Sequence, residues 1–142
     1  MYTAPLNPGL YVVSRWVPEK WVTHVAVLVR GSTYAQRLGR VEPELVVEFD
    51  EKGLHAAAPI SSQGWEVVRR ILDTDGALAR IRESAKAPVR PYDLFVNNCE
   101  HFVSSVESGQ RTSPQVVGFL TVCGALFLLL GTAYLLPKVA KA

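Results

Sequence analysis

Hydrophobic and polar positions alternate through most of the N-terminal half of the chain. Leu10 to Trp16 follows a Pro8-Gly9 turn and is rich in β-branched and aromatic residues, which predicts a strand. After a second turn at Pro18-Glu19-Lys20, the run from Trp21 to Arg30 predicts a buried strand. In it Val22, His24, Ala26 and Leu28 point one way, and Val25, Val27 and Val29 the other. Gly31 to Glu44 is polar and punctuated by Gly31, Gly39 and Pro43, so a long hairpin connection or an extra short strand is expected there. Leu45 to Asp50 predicts the next strand, Glu51-Lys52-Gly53 a turn, and Leu54 to Ala58 its partner. Such short connections imply antiparallel pairing.

The period then changes. Ser62 is placed to cap a helix over Gln63 to Leu72 whose inward face is Trp65, Val68, Ile71 and Leu72, and Asp73-Thr74-Asp75-Gly76 breaks it. Ala77 to Lys86 predicts a further short helix, and Pro88 and Pro91 force an extended approach to Tyr92, Leu94 and Val96. A third helix is signalled by Phe102, Val103 and Val106 at i, i+1, i+4 spacing, with Asn98 as its N-cap and Gly109 as its stop. Val116 to Leu136 contains no charged residue and, at about 1.5 Å per residue, spans roughly the 30 Å of a bilayer core, so a transmembrane helix is expected there. The expected organisation is one domain over 1–115, a transmembrane anchor over 116–136 and a short tail over 137–142.

Composition sharpens this picture at its two ends. The 142 residues are 49% hydrophobic and 20% charged, and a mean hydropathy of +0.15 owes its excess to the C-terminal stretch. A net charge of +2, with no basic run interleaved with aromatics, excludes nucleic acid as a partner. Two cysteines make no disulfide framework, since Cys123 lies within the expected span. Met1 to Pro8 lacks a basic region followed by an apolar run, so no cleavable signal peptide is expected. An anchor so near the end of the chain inserts after synthesis, which puts the domain on the cytosolic side of an intracellular membrane. No cofactor and no metal are expected.

The candidate chemistry centres on Asn97-Asn98-Cys99-Glu100-His101-Phe102. With Asn98 as cap, Cys99 falls in the first helical turn, where unpaired N–H groups and the positive end of the helix dipole favour a thiolate and can hold an oxyanion. A nucleophilic cysteine needs a base and a third group that orients the base. His24, presented on a central apolar strand, is the candidate general base and acid. Glu48, an acid among Val46, Val47 and Phe49, is the candidate orienting group, with His55 as the alternative. Gln36 reads as loop, Glu100 as support for the helix dipole, and His101 as structural or capping. Trp16 and Trp21 read as core residues, with insertion into a membrane interface as the alternative. Arg69, Arg70, Arg80 and Arg82 read as a solvated helix face, with phosphate headgroups as the alternative partners.

The Asn98-Cys99-Glu100-His101-Phe102 box, with Tyr92-Asp93-Leu94 upstream, resembles that of the lecithin:retinol acyltransferase family, which includes phospholipase A and acyltransferase enzymes. Pro8-Gly9-Leu10 is similar to the family's opening Pro-Gly-Asp-Leu without the aspartate. Thr23-His24-Val25-Ala26-Val27 is similar to its base-bearing strand, and Ser113-Pro114-Gln115 followed by an apolar stretch is similar to its C-terminal end. Val46-Val47-Glu48-Phe49 departs from the pattern by placing glutamate where the family usually has a second histidine, and the connection from Gly31 to Glu44 is longer than usual. The resemblance implies an α+β fold of permuted papain-like type, a small antiparallel sheet packed with helices, plus the C-terminal transmembrane helix. It implies a membrane-anchored thiol acyltransferase or phospholipase A. Cys99 would take an acyl chain from a phospholipid as a thioester and pass it to water, an amine, an alcohol or a lysolipid, so phospholipid, acyl acceptor and bilayer are the expected partners. A cysteine peptidase or isopeptidase, and a non-catalytic membrane-tethered interaction domain, are the alternatives.

Overall fold

The computed structural model describes residues 6–57, 64–88, 91–93 and 98–139, without the side chains of residue 115 and of 129–139. The expected positions Ser62, Leu94 and Val96 lie outside the described residues. The chain divides into two compact units, Met1–Thr112 and Ser113–Ala142.

The first unit is α+β. Its elements in order are β1 (Gly9–Val17), β2 (Val22–Arg30), α1 (Ser32–Arg37), β3 (Glu44–Asp50), β4 (Gly53–Ala57), β5 (Glu66–Ile71), α2 (Thr74–Lys86) and α3 (Cys99–Ser108). The five strands form one antiparallel sheet in the order β4-β3-β2-β1-β5. Strand alternation gives the sheet two different faces. Leu10, Val12, Val27, Val29, Val47 and Phe49 point to one face, where they pack with Leu78 and Ile81 of α2 and with Phe102, Val103 and Val106 of α3. Tyr11, Val13, Ala26, Leu28, Val46 and Trp65 make a second, smaller cluster on the other.

Two expected elements differ from those observed. Glu66–Ile71 is a strand, where the spacing of Trp65, Val68, Ile71 and Leu72 predicts a helix. The expected inward face does not form: Leu72 is 91% and Val68 51% exposed, whereas Ile71 and Trp65 are buried. Consecutive β-branched residues and a free edge of β1 decide the outcome, and β5 pairs Leu10 with Ile71 and Val13 with Val67 across a bulge at Val12/Val13. Gly31 to Glu44 holds a helix, α1, in place of a simple connection or strand. Tyr34, Ala35 and Leu38 stand at i, i+1, i+4 and pack on the core. Gly31 is required ahead of α1, since its φ is +107° and a Cβ there would meet the Pro8 Cβ at 2.9 Å.

The arginines expected on a solvated helix face are mostly structural. Arg80 of α2 donates from Nε to the Val106 carbonyl at 2.8 Å and from Nη2 to the Glu107 carbonyl at 3.2 Å, capping the C-terminal end of α3. Arg69 of β5 reaches Glu107 of α3, with Nε to Oε1 at 2.8 Å. Arg70 donates to the Pro8 carbonyl and Arg82 to the Arg37 carbonyl.

The second unit carries α4 (Pro114–Val139). Among the described residues, no helix is long and apolar enough to cross a membrane. The described apolar run from Val116 to Leu128 extends about 20 Å, short of a hydrocarbon core of about 30 Å. The expected fold is corrected accordingly: its C-terminal transmembrane helix is replaced by an apolar helix on which Val117, Phe119, Leu120, Phe127 and Leu128 are exposed.

Candidate active site

The pairing of β2 with β3 runs from Arg30↔Glu44 to Val27↔Val47. His24 and Glu48 lie beyond its last pair, on the sheet face away from the α2 and α3 core, and they meet across the opening with His24 Nε2 2.9 Å from Glu48 Oε2. Both are buried, at 9% and 2% exposure. Burial of such a pair is expensive unless the remaining valences are filled. Arg15, opposite His24 in the β1–β2 register, fills them by donating from Nη2 to the same Glu48 oxygen at 3.2 Å. The Arg15 guanidinium lies 4.5 Å from the centroid of the Trp65 ring. Trp65 also packs against His24, with ring centroids 5.5 Å apart, so one indole walls both cations of the network.

Cys99 completes the arrangement from α3. Asn98 is the helix cap: its backbone is extended, and its side-chain oxygen accepts the His101 N–H at 3.0 Å. His101 Nδ1 lies 2.9 Å from that same oxygen. His101 is thereby part of the cap, and burial, with Arg111 nearby, lowers its pKa. At the other end Gly109 closes α3 in the left-handed conformation, φ +76°. Cys99 is buried and forms no disulfide, and its interaction with His24 is the largest of those that raise the imidazole's pKa.

The electrostatics favour a protonated His24. Burial works against a charged His24, but the hydrogen bonds to Cys99 and then to Glu48 outweigh it and raise its pKa to about 9. Burial likewise works against a charged Glu48, and His24 and Arg15 outweigh it, holding the carboxyl below its ordinary range. Tyr92, stacked on Phe49 at 6.1 Å, is pushed up to about 12 by burial and by the neighbouring Cys99 charge, so it stays a neutral hydroxyl.

These shifts fix a pH dependence. Folded His24 holds its proton more tightly than the ordinary value of 6.5, so its contribution is complete below pH 6.5 and is lost as pH rises through about 9. Glu48 has the opposite sign, contributing above the ordinary carboxylate range and losing its contribution as pH falls through its lowered pKa. The melting temperature is expected to be highest between roughly pH 5 and 6.5 and to decline toward pH 9. In His24→Gln that alkaline decline should flatten, as calorimetry across the range would record.

Among the expected site residues the structure joins Cys99, His24 and Glu48, and it places His55 apart. His55 sits opposite Glu48 in the β3–β4 register, but its Nδ1 is 3.0 Å from the Gly53 carbonyl and 3.7 Å from Asp50 Oδ1. Arg15 and Trp65 are site residues that the sequence reading missed. The signal available for Arg15 was its distance from the Pro18 turn, which mirrors that of His24 in a hairpin. Among the described residues no group of His, Cys, Asp and Glu has the makings of a metal site. A cavity of about 600 Å³ lies on the helix-covered face, with Leu45, Val47, Phe49, Ile81 and Phe102 in its lining. It excludes His24, Glu48 and Cys99, and the candidate chemistry belongs to those three, not to the cavity. No protein-family model, no curated protein and no solved structure matches this chain.

Proposed function

We propose that this protein is a cysteine-dependent acyltransferase or phospholipase A of the lecithin:retinol acyltransferase type. The observation that carries the proposal is the relay Cys99, His24, Glu48, in which one buried imidazole interacts with a thiol and lies 2.9 Å from a buried carboxylate. The thiolate of Cys99 attacks the ester carbonyl of a phospholipid, forming a C–S bond, and the Cys99 backbone N–H at the start of α3 donates to the oxyanion. His24, held protonated by Glu48, gives its proton to the departing lysophospholipid oxygen as the C–O bond breaks. The thioester is then attacked by water, an amine, an alcohol or a lysolipid, with His24 now taking the acceptor's proton. Glutamate in place of the family's second histidine serves the same orienting purpose and adds a negative charge to stabilise the imidazolium.

Lipid is favoured over peptide by one feature, an apolar helix with exposed side chains. The free thiols Cys99 and Cys123 suit a reducing, intracellular compartment. The test is incubation of the full chain with vesicles of phospholipid labelled in the acyl chain, in parallel with peptide and isopeptide substrates. Release of lysophospholipid with labelled fatty acid or transfer product is expected. Peptide cleavage with intact lipid would replace the proposal by a cysteine peptidase, and inertness toward both by a binding module.

A further inference from the structure

The end of the β1–β2 hairpin holds two aromatic residues, Trp16 in β1 and Trp21 in the turn, that neither the core nor the relay uses. Trp16 is 56% and Trp21 83% exposed, in contrast to the core positions expected for them, and their rings meet edge to face with centroids 6.4 Å apart. Two large apolar side chains standing in water forgo the transfer energy that burial would give. Trp21 carries a second cost. Its φ is +52°, in the left-handed region where glycine or asparagine is normal and a bulky side chain is disfavoured. The turn itself asks for no indole, since Lys20 N–H donates to the Val17 carbonyl at 3.2 Å and Trp21 N–H to the Pro18 carbonyl at 3.3 Å through backbone atoms alone. An exposed, strained tryptophan is thus retained against folding stability.

Its place in the fold says against what. Trp16 pairs with Thr23 in the register, immediately next to the Arg15↔His24 pair. Lys20 Nζ lies 2.6 Å from Glu51 Oε1 in the β3–β4 turn, so the two turns stand together at the end of the sheet that carries His24 and Glu48. Each turn holds one acid and one base, Glu19 with Lys20 and Glu51 with Lys52, leaving little net charge to attract an anionic partner. Indoles prefer the headgroup level of a bilayer, where an apolar ring and a polar N–H are both satisfied. We infer that Trp16 and Trp21 form an aromatic wedge that inserts into the interface of a phospholipid bilayer and holds the Cys99–His24–Glu48 site against it. The inference rests on the lipid reading of that site. Attachment by insertion persists at high salt, unlike attachment by charge.

The tryptophans are their own probes. Full-length Cys99→Ala protein, which leaves lipid intact, is mixed with phosphatidylcholine vesicles with and without brominated acyl chains. A blue shift and quenching of tryptophan emission, unchanged in 0.5 M salt, are expected, and both should vanish in a Trp16→Ser/Trp21→Gly variant in which only buried Trp65 remains. Vesicle-bound protein whose emission is not quenched, or protein that ignores vesicles, would overturn the wedge. In the Cys99-containing protein, the same double substitution should lower turnover on vesicles at least tenfold and leave turnover on a monomeric short-chain phospholipid unchanged. Equal loss on both would also overturn it. If neither substrate is cleaved, the acyltransferase reading fails while quenching still judges the wedge. Trp21→Gly should hold or raise the melting temperature, and a fall of several degrees would show a structural role instead.

Discussion

Replacing Cys99 by alanine is expected to abolish acyl transfer, lowering turnover by about 10⁴-fold or more, because no other group in the relay can carry the acyl chain. The fold should survive. Cys99 is small, and losing a buried sulfur costs about 1 kcal/mol. The same substitution removes the partner that does most to raise the His24 pKa to about 9, so titration of His24 by NMR should move toward its ordinary value. Because the three residues act as a unit, adding His24→Ala to Cys99→Ala should produce almost no further loss, whereas independent roles would multiply. Steady-state kinetics on the single and double variants checks this.

Glu48→Gln is expected to have the second largest effect, a drop of about 10³- to 10⁴-fold in turnover with little change in substrate affinity. Glutamine has nearly the same shape and can still bond the imidazole, but it supplies no charge to hold the imidazolium and leaves His24 free to take the wrong tautomer. Glu48→Ala removes the partner of two cations at once. Glu48 is 2% exposed, and Arg15 and His24 both lie within 3.2 Å of its Oε2. The cost in stability should be about 2 to 3 kcal/mol, reduced from the fully buried case because Arg15 keeps some solvent contact. A His55→Ala variant with normal turnover would agree with its bonding to Gly53 and Asp50; a loss as large as that of Glu48→Gln would transfer the orienting role to His55.

The strands β1, β2 and β3 were legible because alternation of apolar residues reflects the two faces of a sheet directly, and Asn98 and Gly109 marked α3 because cap chemistry is local. β5 was not, since Trp65, Val68, Ile71 and Leu72 satisfy a helical period and only the open edge of β1 decides for a strand. α1 hid in a polar stretch because three apolar residues, Tyr34, Ala35 and Leu38, suffice to seat a single turn. Of the site, Cys99, His24 and Glu48 were visible as residue types out of place in their elements. Arg15 and Trp65 were not, because their roles depend on which residues the register and the bulge set opposite one another. Trp16 and Trp21 misled for the reason that makes them informative: aromatic residues next to a strand ordinarily pack inward. The uncharged C-terminal stretch likewise predicts a span by its length, whereas among the described residues no helix is long and apolar enough to cross a membrane.

The acyl-enzyme tests the central claim most directly. Wild-type protein is quenched in acid seconds after mixing with phosphatidylcholine vesicles, and its intact mass and tryptic peptides are measured. The expected result is a mass increase of one fatty acyl group, removed by neutral hydroxylamine, on the peptide bearing Cys99 and absent in Cys99→Ala. Turnover of the lipid with no acyl group on Cys99, or with the group on another residue, would contradict the relay of Cys99, His24 and Glu48.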